Sequence, residues 1–127
     1  MEVIVAKTAG FCFGVKRAVE CVYEQLATGK KPIFTFGPII HNEEVVRDLE
    51  ERGVRVLNTK EELRRLKEGV VVIRSHGVGK EIYDILEANG IEIVDATCPF
   101  VKKIHRIVRE QTAAGRRVII VGNERHP

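Results

Sequence analysis

Short β-branched runs alternate along the chain with longer stretches whose apolar residues recur every three or four positions. The runs are Val3-Ile4-Val5-Ala6, Pro32-Ile33-Phe34-Thr35-Phe36, Val54-Arg55-Val56, Val70-Val71-Val72-Ile73, Ile91-Glu92-Ile93-Val94 and Val118-Ile119-Ile120-Val121. Their length and composition predict strands. Between them, Val15, Ala18, Val19, Val22 and Leu26 form one helical stripe, and Val45, Val46 and Leu49 a second. Leu63 and Leu66 mark a shorter helix. Ile82, Ile85, Leu86 and Ala88 mark the next, and Val101, Ile104, Ile107, Val108 and Ala113 the last. Gly29, Gly53, Gly90 and Gly115 each follow a helical stretch, where a left-handed cap is wanted. Strands alternating with helices predict an α/β fold, a mostly parallel sheet with flanking helices. The all-apolar run 70–73 suits a central strand covered on both faces. The helix at 99–114 and the run at 118–121 either complete this sheet or open a second domain.

Against this frame the chemistry-bearing residues fall in one kind of place. Cys12, His41, His76, Cys98 and His126 each lie just past a predicted strand, and the first four open a helical stretch. In an open parallel sheet, residues at the carboxyl ends of the strands share one rim, where ligands bind.

Composition narrows the classes. The chain has 127 residues, of which 44% are hydrophobic and 31% charged, with a net charge of +3. That suffices for a folded core and argues against nucleic acid as a partner, since no basic block stands out except Gly115-Arg116-Arg117, which is too short. No apolar run nears the ~20 residues that cross a bilayer, and the amino terminus lacks a signal-peptide pattern, so a cytoplasmic protein is expected. Three cysteines without a CxxC pair do not form a disulfide framework. No GxGxxG, GxxxxGK[ST] or GxSxG motif is present.

Cys12 stands in Ala9-Gly10-Phe11-Cys12-Phe13-Gly14-Val15-Lys16-Arg17-Ala18, where flanking glycines allow a tight turn and close approach to a bound group. The amide end of the following helix, with Lys16 and Arg17, favours thiolate. Cys98 precedes Pro99, which suits the first helical position, and so falls at a helix N-cap. Two such thiols fit a shared metal as well as two turn cysteines. Cys21 lies nine residues past Cys12, about 13 Å along a straight helix, and is expected to be a core thiol. His41, before the N-cap Asn42, and His76, before Gly77, fit either an anion site or polar loop residues. His105 falls mid-helix and is expected on a helix face.

Taken together, Ala9–Ala18, Gly37-Pro38-Ile39-Ile40-His41-Asn42, Arg74-Ser75-His76-Gly77, Asp95-Ala96-Thr97-Cys98-Pro99 and His126-Pro127 resemble the LytB/IspH family of 4-hydroxy-3-methylbut-2-enyl diphosphate reductases, in order and spacing along the whole chain. The resemblance implies a trefoil of three α/β lobes around a 4Fe–4S cluster, of which residues 1–96 form the first and 97–127 begin the second. It implies an iron–sulfur oxidoreductase of the non-mevalonate isoprenoid pathway. That enzyme reduces an allylic diphosphate alcohol to isopentenyl and dimethylallyl diphosphate, with electrons from a donor such as ferredoxin or flavodoxin. Cys12 and Cys98 would be two of three cluster ligands. His41, His76 and His126 would surround the substrate diphosphate, with His126 also near the proton path. The third cysteine, a catalytic glutamate and Ser and Asn diphosphate ligands are expected beyond Pro127. The chain is therefore expected to be an amino-terminal piece that alone neither holds a stable cluster nor turns over substrate. Two alternatives are a non-enzymatic anion-binding α/β module using His41 and His76, and a zinc-binding module using Cys12, Cys98 and a histidine.

Overall fold

A computed structural model describes residues 1–122. The order is α1 (Phe13–Thr28), β1 (Ile33–Phe36), α2 (Glu43–Glu51), β2 (Arg55–Leu57), α3 (Lys60–Arg65), β3 (Val70–Ile73), α4 (Lys80–Ala88), β4 (Glu92–Asp95) and α5 (Pro99–Ala113). The four strands form one sheet in the order β2-β1-β3-β4, every pair parallel.

Side-chain alternation along the strands sends residues to two cores. Ile33 and Val72 meet Ala18 and Val22 of α1 and Leu49 of α2 on one face. Phe34, Val71 and Ile73 meet Leu63 of α3 and Ile82 and Leu86 of α4 on the other. With helices on both faces, β3 is buried at all four residues, as its unbroken apolar run requires. Local signals fix the helix ends. The Asn42 side chain accepts from the Val45 amide, and Thr59 and Glu62 form a reciprocal capping box. Gly29, with φ +58, closes α1 through its amide to the Leu26 carbonyl.

Two expected strands are absent. Residues 3–6 and 118–121 carry the β-branched composition of strands but pair with neither outer strand, β2 nor β4. Their side chains stand in solvent, Ile4 at 84% and Val121 at 95% exposure. A β-prone run becomes a strand only where a neighbour takes its amides and carbonyls and a surface takes its side chains. Neither is present for these runs among the described residues. Cys12 therefore follows a turn rather than a strand, with the Ala9 amide bonded to the Ala6 carbonyl. Helix α5 contributes no residue to either core. It buries none of its residues among those described, and Phe100 and Ile104 on it are exposed.

Candidate functional site

The chain leaves β1 to build β2 on one side and then crosses to β3 on the other, so the order in which strands are added reverses between β1 and β3. A crevice opens at such a switch point, outside the carboxyl ends of the strands. His41 follows β1 and His76 follows β3, and the structure brings their rings together, with centroids 5.2 Å apart and planes tilted by 46°. His41 is exposed and His76 half-buried. Two imidazoles at this spacing, beside the amide end of α2, form a donor pair for an anion. Arg74 crosses between the two loops. A Cβ added to Gly37 would stand 2.9 Å from Nη1 of Arg74, and Arg74 Nε donates weakly to the Gly77 carbonyl at 3.5 Å.

Strand β4 delivers Cys98 to the same rim. Cys12 is the N-cap of α1 and Cys98 the N-cap of α5, so each thiol sits at the positive end of a helix. The two helix starts touch. A Cβ built on Gly14 would lie 2.6 Å from Sγ of Cys98 and 2.9 Å from its Cβ. Gly14 adopts ordinary helical geometry, so its role is room rather than turning; of the two glycines around Cys12, only Gly10 has a positive φ, +128. Arg17 joins the same elements. Its guanidinium donates to the Thr97 carbonyl at 3.3 Å and to the Asp95 carbonyl at 3.4 Å. The Cys98 amide in turn donates to the Ser75 carbonyl at 2.9 Å, tying the cysteine turn to the His76 loop.

Asp95 organises this turn. Its Oδ1 accepts from the Thr97 amide at 2.9 Å and its Oδ2 meets Lys102 Nζ at 2.6 Å. Burial pushes the Asp95 carboxyl up, but its hydrogen bonds with Lys102 and Thr97 outweigh burial and hold it below the usual carboxylate range.

Cys21 packs at the edge of the α1 core, where burial pushes its thiol up against the opposing pull of Arg17. A protonated, half-buried thiol is a poor ligand. His105 is on the exposed side of α5, but its Cε1 would be 3.1 Å from a Cβ at Gly77, which places it at the rim. It lines a cleft of about 890 Å³ between the His76 loop and α5, with Arg74, His76, Lys80 and Arg109 as polar lining and Val101, Ile104 and Val108 as apolar lining. Periodicity alone placed His105 on a helix face and gave no sign of the cleft. His126 lies outside the described residues. Among those described, no three His, Cys, Asp or Glu side chains gather to hold a metal ion, so the zinc reading finds no complete site. Two thiols at touching helix ends do fit part of a thiolate-ligated cluster, whose closure needs a further donor.

Fold and rim together define an α/β protein with two thiols and two imidazoles along the carboxyl edge of a parallel sheet, the imidazoles at its switch point. The chain belongs to the LytB protein family, which residues 3–127 match. It is 52% identical over its whole length to the 4-hydroxy-3-methylbut-2-enyl diphosphate reductase of Caldanaerobacter subterraneus subsp. tengcongensis, covering 44% of that protein. It is 40% identical to the reductase of Clostridioides difficile, covering 45%. A solved (E)-4-hydroxy-3-methyl-but-2-enyl diphosphate reductase, the terminal enzyme of the non-mevalonate pathway, superimposes with a TM-score of 0.82 at 43% identity over 98% of this chain and 43% of the other. The Plasmodium falciparum E-1-hydroxy-2-methyl-but-2-enyl-4-diphosphate reductase does so with a TM-score of 0.86 at 31% identity, over 94% of this chain and 37% of that one. The chain thus spans less than half the length of the relatives it matches.

Proposed function

We propose that these 127 residues form the amino-terminal part of a 4-hydroxy-3-methylbut-2-enyl diphosphate reductase, supplying two cluster ligands and the diphosphate-binding rim. The observation that carries this is the convergence of the His41–His76 ring pair and the Cys12 and Cys98 helix ends on one edge of the sheet. Cys12 and Cys98 would hold a 4Fe–4S cluster, with the third thiolate supplied from outside this sequence. When bound, the cluster would relay electrons from the donor and supply a Lewis-acidic iron. His41 and His76 hold the diphosphate, and Arg74, crossing Gly37, fixes the spacing of their loops. The cationic and apolar lining beside His76 suits a ligand with a charged head and a short hydrocarbon tail. The reaction takes two electrons and two protons and releases water; the proton path is assigned to the neighbourhood of His126. The electron donor is a small redox protein of the ferredoxin or flavodoxin kind, and the compartment is the cytoplasm. No helix among the described residues is long and apolar enough to cross a membrane. Residues 1–96 form the first lobe, and α5 opens the next, a division supported by its lack of buried residues.

Turnover in a chimera tests this reading, with residues 1–127 joined to the remainder of the Caldanaerobacter relative. The chimera should convert the allylic alcohol diphosphate to isopentenyl and dimethylallyl diphosphate. His41→Ala and His76→Ala should each lower kcat/KM at least about tenfold. An inactive chimera whose isolated 1–127 chain still binds inorganic diphosphate through both histidines would favour the anion-binding module instead.

A further inference from the structure

We propose that Gly14 and Arg17 are positioning residues for Cys98, seating its turn against the first turn of α1 and so fixing the placement of the two cluster cysteines; this rests on the cluster reading above. Gly14 is buried and helical, and nothing in its backbone asks for glycine. Helix propensity favours alanine there. What alanine cannot have is the space, because its methyl would stand 2.6 Å from Sγ and 2.9 Å from Cβ of Cys98. Rotating the thiol relieves the first contact but not the second, which involves the stem of the side chain. Either α1 or the Cys98 turn must move. Arg17, three residues along on the same face of the helix, holds the turn through the Thr97 and Asp95 carbonyls, across 80 and 78 residues of sequence. One guanidinium spans both acceptors, whereas a lysine ammonium is a single point donor. The two contacts work in the same direction. Arg17 draws the turn in, and Gly14 lets it reach contact.

The test is maleimide alkylation of the 127-residue chain, read at each cysteine by mass spectrometry. Cys21, packed against the core of the same helix, reports general loosening. Gly14→Ala and Arg17→Lys should each speed alkylation of half-buried Cys98 at least about threefold while leaving Cys21 unchanged. Gly79→Ala, where an added Cβ meets nothing within 4 Å, should change neither. Unchanged Cys98 rates in both variants overturn the proposal, as does equal acceleration of Cys21 in both. If Gly14→Ala alone loosens the whole fold, Arg17→Lys decides by the same criterion. In the chimera, Gly14→Ala should alter or abolish the electron paramagnetic resonance signal of the reduced cluster, and Gly79→Ala should preserve it. A parent chimera that takes up no cluster refutes the cluster reading alone, because the alkylation result stands independently of it.

Discussion

Asp95 stands where β4 gives way to the Cys98 turn, and its carboxylate is held in the charged form by Lys102 and the Thr97 amide. Its folded pKa is depressed, so its contribution is present above the unfolded carboxylate value of about 4 and is lost as pH falls through the lower folded value. Urea midpoints should therefore drop on acidification below about pH 4, and Asp95→Asn should remove part of that drop while destabilising the neutral-pH fold by about 1 kcal/mol. At the other end of the rim, Thr59 closes a capping box far from the cysteines. Thr59→Ala should lower the urea-unfolding free energy by about 1 kcal/mol and leave Cys98 alkylation untouched. Cys12 and Cys98 stood out in the sequence because each precedes a helical stretch with turn residues beside it, and His41 and His76 because each follows a strand in a loop. Arg17 and Gly14 were not legible as partners of Cys98, since their contacts join positions some 80 residues apart, which no local pattern encodes.

At the scale of elements, the run Val70–Ile73 announced its own position. Four apolar residues in succession suit a strand covered on both faces, and all four are buried. Ile73→Ala, at a fully buried site, should destabilise by about 2–4 kcal/mol in urea unfolding. The helices were equally readable, because an amphipathic stripe and a following glycine are both local signals. The runs at 3–6 and 118–121 misled for the opposite reason. Strand propensity is a statement about fit to a neighbouring strand, and the sequence of a run does not say whether one is there. Their exposed valines and isoleucines remain ready for such a neighbour.

The molecule as a whole is a doubly covered parallel sheet with one helix outside both cores. Since α5 buries none of its residues among those described, a chain ending at residue 98 should unfold in urea with a free energy within about 1 kcal/mol of the 127-residue chain. A larger loss would place α5 in the first lobe. The edge proposed to serve function carries two imidazoles 5.2 Å apart and two thiols at touching helix ends. The central claim is that Cys12 and Cys98, but not Cys21, hold the cluster. Iron and acid-labile sulfide content of the anaerobically reconstituted chimera measures this directly. The parent and Cys21→Ser should carry one 4Fe–4S cluster per chain, and Cys12→Ser and Cys98→Ser should lose it. A cluster that survives either of the latter two substitutions, or that vanishes with Cys21, would contradict the account.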